Sequence, residues 1–223
     1  MPPRGLDPTG IILLDKPAGP SSFALVAETR RRTGAKTGHA GTLDPFATGL
    51  LVLLSGRATK LAARFVGLDK RYVTEIDLTS RTTTGDPEGE TIDVHEPPSH
   101  DELEIMLREL SGEIELPIPT ASAVKIGGER AYKLHRRGVA VEMPLRCSTV
   151  HELALVGYAA GVATIDLRVS SGTYVRAIAD ALGGHCRKLR RLAVGPFSVE
   201  EADPQTVIPA ADALVRLATA VTS

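Results

Sequence analysis

"GHAGTLDPFATGLLVLLSGRATK", residues 38–60, is the stretch on which the reading of this chain turns. An Asp-Pro pair resembles a helix start, because Asp accepts hydrogen bonds from the first free N–H groups and Pro fits the first turn. A helix opening at Asp44 would have to pass Thr48 and Gly49 and enter the β-favouring run Leu50 to Leu54. A shaped loop feeding a strand fits better, with Gly41 and Gly49 giving the backbone its freedom. Loops fixed by rigid strands are where chemistry concentrates, so Asp44 is the first candidate for a reactive carboxylate.

Outward from this stretch the pattern mixes strands and helices. "GIILLDKP" predicts a buried strand ending at Pro17, and "SSFALVAETRRR" a helix capped by serine. "YVTEIDL" and "VATIDLRVS" alternate as strands with one wet face. Ser99 and Glu102 form a capping box before "DELEIMLREL". "GTYVRAIADALGG" predicts a helix closed by Gly183 and Gly184, and "VIPAADALVRLATAV" a terminal amphipathic helix. Strand–helix alternation is irregular, so the expected class is α+β with a largely antiparallel mixed sheet flanked by helices. A single domain over residues 1–223 is expected, with the acidic, Pro-containing segment 85–100 as a flexible insertion.

Composition narrows the function. The 223 residues are 43% hydrophobic and 24% charged, with formal net charge -1, as in an ordinary globular protein. No run of about 18 apolar residues predicts a membrane span. The N-terminus lacks the pattern of a secretory signal, so a cytoplasmic location is expected. Cys147, His151, His185 and Cys186 lack the spacing of a zinc site, and no disulfide framework exists. No cofactor or metal motif is found. "GAKTG" lacks the spaced glycines of a phosphate loop. Charge is segregated: residues 85–115 hold eleven acids and one basic residue, Arg108. Windows 30–36, 125–137 and 187–191 hold thirteen of the 26 Lys and Arg, with one acid, Glu129. A polyanion such as RNA suits that distribution.

The Asp44 block resembles the signature of the TruB family of tRNA pseudouridine synthases. "GIILLDKPAGPSS", "KRYVTEIDL", "RTTTGDPEGE", "SAVKIGGERAYKLHRRG" and "SSGTYVRAIADALG" resemble further family motifs, in order, over about residues 10 to 210. The resemblance implies the pseudouridine-synthase fold and a cofactor-free isomerase acting on uridine 55 in the T-loop of tRNA. It implies Asp44 as the catalytic aspartate, Tyr72 as the aromatic packed on the base, and Arg176 as the arginine paired with the aspartate. His39 would lie beside the flipped nucleotide, and Lys16, Lys125 and Arg136 would serve packing or RNA contact. The implied partner is the tRNA T-arm, with no obligate protein partner and a monomeric state. Three departures are visible: no room for the family's C-terminal RNA-binding domain, Ala121 in place of an aromatic, and Thr83 in place of an acid.

The chemistry agrees with that assignment. Isomerisation breaks a C–N glycosidic bond and rejoins the base through carbon, which a carboxylate can assist as in sugar chemistry. A nearby guanidinium favours the ionised form. A ring stacked on an extruded base contributes roughly 1–3 kcal/mol. Two rivals remain. A silent tRNA-binding module would tolerate loss of Asp44, and a hydrolase would need a second carboxylate placed as acid or base.

Overall fold

The computed structural model describes residues 9–220, so the N-terminal reading falls largely on residues 1–8, outside them. The strands are β1 (Gly10–Lys16), β2 (Thr37–His39), β3 (Thr48–Ser55), β4 (Lys70–Asp77), β5 (Ser80–Thr82), β6 (Thr91–Val94) and β7 (Gly112–Pro117). They continue with β8 (Lys125–Ile126), β9 (Glu129–Arg130), β10 (Leu145–Ala159), β11 (Val162–Val169), β12 (His185–Val194), β13 (Phe197–Ser198) and β14 (Ile208–Pro209). The helices are α1 (Ser22–Thr33), α2 (Ala62–Val66), α3 (His100–Glu109), α4 (Ala131–Arg136), α5 (Val175–Ala181) and α6 (Ala210–Thr219). This is the expected α+β class. Among the described residues, no helix is long and apolar enough to cross a membrane.

The chain forms two compact units, one made of the residues up to Tyr72 and from Arg190 onward, the other Val73–Leu189. In the first, strand order is β14-β1-β3-β12, with β2 also on β3 and β13 on β12. β1 and β3 run antiparallel in register from Ile11↔Leu54 to Leu14↔Leu51. Both of their faces are covered. Ile11, Leu13, Val52 and Leu54 pack with Phe65, Val194 and Phe197, while Ile12, Leu51 and Leu53 pack with Leu25 and Val26 of α1. That explains why "IILL" and "LLVLL" are continuous apolar runs rather than alternating ones. Ser21 caps α1 by accepting from Ala24 N–H.

β1 occupies one whole edge of β3; the other edge is shared. β2 pairs antiparallel with Leu53–Ser55, and β12 pairs parallel with Thr48 and Gly49. The segment joining β2 to β3 is the Asp44 loop, so it is held between two strand pairings. The shaped loop that sequence predicts around Asp44 is there, and the strand it feeds is β3.

In the second unit strand order is β4-β11-β10-β7. Ala163, Ile165, Leu167 and Val169 of β11 alternate inward, as its two-residue period predicts. β10 meets β11 through the two-residue turn Ala160-Gly161, where both φ angles are positive, the twist that suits a tight hairpin. The capping box of Ser99 and Glu102 opens α3. Segment 85–100 carries more regular structure than its composition suggests: β6 pairs with β5, and Asp86 is buried.

Candidate active site

The loop bearing Asp44 begins where β2 leaves β3, at the bond from Ala40 N–H to Val52 O (2.9 Å). The next carbonyl inward on that edge, Leu50 O, would be left without a strand partner. Arg191 supplies one, donating from Nε at 2.7 Å, and its two Nη groups donate to Thr42 O (3.4 Å) and Gly41 O (3.2 Å). The side chain is 1% exposed. A buried guanidinium is tolerated when its donors are used, and here three carbonyls use them.

Lys16 braces the far side of the loop. It is fully buried, and Nζ donates to Pro17 O (2.9 Å), Pro45 O (3.0 Å) and Ala47 O (2.7 Å). Ser22 Oγ donates to Leu43 O and accepts from Leu43 N–H, at 2.9 and 2.8 Å, and Gly19 N–H donates to Pro45 O at 2.8 Å. The residues on both sides of Asp44 are therefore fixed from outside the loop. Asp44 itself is half-buried, and its carbonyl accepts from Ala47 N–H at 3.1 Å. It is the loop's one acid, and it caps no helix.

Two further groups share this unit's electrostatics. Lys70, 6% exposed, donates to Val66 O and Leu68 O, both at 2.5 Å. Burial first and the Arg191 charge second push its pKa down to about 8, against a smaller opposing pull from Asp69. His39, paired with Leu53 on β3, has its pKa lowered by burial and then by Arg191, which favours the neutral ring. Among the described residues its Nδ1 has no hydrogen-bond partner. Tyr72 lies two positions beyond Lys70 on the same face of β4 and is 7% exposed. Positive charge around the loop favours a carboxylate in its charged form.

Arg176 belongs to the second unit, in the first turn of α5, within the helix predicted from "GTYVRAIADALGG". It is 3% exposed and meets Asp86 at 3.2 Å. Nη1 donates to Thr84 O (2.8 Å) and Nη2 to Ala121 O (3.0 Å). Asp86 Oδ1 in turn accepts from Thr84 Oγ1 (2.6 Å) and Glu88 N–H (3.0 Å). A cavity of about 170 Å³, lined by Thr82–Gly85, Pro117–Thr120, Met143 and the Arg176 side chain, adjoins it. The sequence reading assigns Arg176 to Asp44 and gives Asp86 no role. The buried Asp86 contact is what the fold of this unit adds.

The basic windows divide once the structure is known. Lys125 on β8 is exposed, and Arg136 closes α4 over the Tyr132 ring, 5.7 Å from its centroid. These two keep side chains that RNA could reach. Lys16 is fully buried with Nζ donating to backbone carbonyls, the packing side of the role the resemblance implies for it. In the 187–191 window Arg187 is exposed, while the other three cations have partners within the fold. Lys188 pairs with Glu75 (2.8 Å), Arg190 with Asp15 (2.7 Å), and Arg191 is internal. In "HCRKLRRLAV" the buried positions are Cys186, Leu189, Arg191 and Val194, a spacing that no strict two-residue strand period picks out.

Residues 29–175 match the family described as TruB family pseudouridylate synthase, N-terminal domain. The "tRNA pseudouridine synthase B" of Thermobifida fusca (strain YX) is 41% identical over 230 residues, covering 95% of this chain and 78% of that protein. The protein of the same name from Nocardia farcinica is 44% identical, covering 90% and 70%. Among solved structures, a Cbf5-Nop10-Gar1 complex contains a chain that superposes with TM-score 0.66 at 28% identity. That match covers 86% of this chain but half of the other. An H/ACA RNP bound to a substrate RNA containing 2'-deoxyuridine shares the fold at TM-score 0.63 and 24% identity.

Proposed function

Because the chain belongs to the TruB family of pseudouridylate synthases, we propose that it converts uridine to pseudouridine in tRNA, at position 55 of the T-loop, with Asp44 as the catalytic carboxylate. The observation that carries this reading is the bracing of the Asp44 loop: Lys16 and Arg191, both fully buried, spend their donors on carbonyls flanking the loop's one acid. Evenly held backbone on both sides of a half-buried carboxylate is what a preorganised reactive group requires.

The reaction is an isomerisation, so its atoms balance within the nucleotide. The target uridine leaves the stack and enters the site. Asp44, ionised, assists cleavage of the bond between C1' and N1, at the sugar or at the ring. The uracil turns, C1' bonds to C5, C5 loses its proton, and N1 gains one. Tyr72 is assigned to packing against the extruded base. Arg176, anchored on Asp86, is assigned to holding the carboxylate in its charged form. His39, whose pKa is lowered by burial and then by Arg191, is assigned to positioning the nucleotide, and Lys125 and Arg136 to the RNA backbone.

The test is incubation of a uridine-labelled tRNA transcript with wild type and with Asp44→Asn, followed by nucleoside analysis. Wild type is expected to place pseudouridine at one T-loop position, and the variant none while still binding tRNA. Pseudouridine formed by the variant at the wild-type rate would remove Asp44 from the chemistry, and release of free uracil would make the enzyme a hydrolase.

A further inference from the structure

Helix α1 buries one stripe, Ser22, Leu25, Val26 and Thr29, against the first unit's core. Phe23, Arg30 and Arg31 lie outside that stripe and are exposed, Phe23 at 75%. A ring this exposed in the middle of a capped helical turn contributes little to packing. Among the described residues, neither the Arg30 nor the Arg31 guanidinium has an ion-pair partner, whereas Arg32 turns toward Gln205 Oε1 (3.4 Å). Glu28 is the helix's single acid, so α1 carries three arginines against one carboxylate. Phe23 and Arg30 are seven residues apart, two turns and about 10 Å along the axis. Ser22, next to Phe23, is the residue bonded both ways to Leu43, the neighbour of Asp44.

We propose that the face of α1 formed by Phe23, Arg30 and Arg31 is a contact surface for the tRNA substrate, in which Phe23 stacks on a base beside the reacting nucleotide and the two arginines engage backbone phosphates. The assignment rests on the tRNA reading above. It follows from charge complementarity and from the helix start being tied to the catalytic loop: an RNA strand leaving that loop along α1 meets a π-face first and unpaired cations two turns later. Aromatic stacking plus guanidinium–phosphate contact is the usual chemistry for single-stranded or unstacked RNA. The surface accounts for the "RRRTGAK" window, which no other part of the site uses.

Binding of a T-arm stem-loop transcript, measured from about 50 to about 200 mM salt, tests the surface. The double variant Arg30→Ala/Arg31→Ala should reduce the slope of log K against log salt by about 2, one for each phosphate that is no longer engaged. Arg108→Ala, with the same kind of charge change on α3, should keep the wild-type slope. Phe23→Ala should weaken binding about tenfold with the slope intact, and Phe23→Tyr should restore it. In turnover, these losses should fall on KM rather than kcat. Wild-type slope and affinity in the α1 variants would overturn the surface while leaving the isomerase reading standing, as would an equal loss of slope in Arg108→Ala. If wild type makes no pseudouridine, the isomerase reading fails, and the same binding slopes still decide whether α1 contacts RNA.

Discussion

Arg191 and Leu50, 141 positions apart in sequence, are joined by a 2.7 Å hydrogen bond from guanidinium Nε to backbone carbonyl. The bond sits at the point on β3 where β2 has ended and β12 has just begun, and it completes an edge that backbone pairing leaves open. The same guanidinium reaches Gly41 and Thr42 at the head of the Asp44 loop. Arg191→Met should therefore strand the buried Leu50 carbonyl, release the part-buried Gly41 and Thr42 carbonyls, and cost about 1–3 kcal/mol of stability. Arg191→Lys should recover part of this, since an ammonium cannot reproduce the fork. Urea unfolding of both variants measures the cost, and a loss below about 1 kcal/mol in Arg191→Met would show the loop held by other means.

Gly49 sits opposite Arg191 in the parallel pair of β3 with β12, at φ +101°. A Cβ there would fall on the backbone carbonyl of Arg191. Gly49→Ala should combine left-handed strain with a backbone clash and destabilise by about 3 kcal/mol or more. Because Gly49 is the second residue of β3, directly after the Asp44 loop, pseudouridine formation should fall further than the folded fraction does. Thermal unfolding and turnover measured on the same preparation separate the two effects.

How much of this was legible beforehand depended on whether a residue's partners are local. The Asp44 loop could be read because Thr48, Gly49 and the run after them argue against a helix within a few residues. The cap of α3 is likewise a local pattern, Ser99 to Glu102. The fates of Lys16 and Arg191 were not legible, because charge in a sequence reads as surface unless something distant neutralises its cost. Their acceptors are backbone carbonyls, which have no sequence signature. Asp86 was hidden for a related reason: it lies in an acidic stretch whose composition suggests solvent, and its cation is about ninety residues away on α5.

The Arg176–Asp86 pair, 3% and 6% exposed at 3.2 Å, predicts an asymmetry between single and double variants. Asp86→Leu alone takes this carboxylate away from a buried guanidinium and should cost about 3–5 kcal/mol. Asp86→Leu/Arg176→Met removes both charges and should recover much of that loss, since buried pairs often replace well with apolar groups. Activity should not return with stability, because Arg176 is assigned to the carboxylate chemistry. A double variant that is both stable and active would reduce the pair to a structural one.

Lys70 makes the clearest pH prediction. Its folded pKa is about 8 against an ordinary 10.5, with burial as the main cause. Below about 8 the group is protonated in both states, and the folded protein holds that charge at a cost. Between about 8 and 10.5 the folded lysine is neutral while the unfolded one still binds a proton, so the unfolded state binds more protons and stability rises with pH. The rise has a ceiling of about 1.4 kcal/mol per pH unit, and it ends once both states are neutral. Other groups titrate in the same range, so the quantity to follow is the wild-type unfolding free energy minus that of Lys70→Met across the window. The missing bonds to Val66 O and Leu68 O add a nearly constant offset to that difference, because neutral lysine still donates. The difference should climb with pH; a flat or falling profile would mean that Lys70 keeps its proton when folded and that burial beside Arg191 leaves its charge unpenalised.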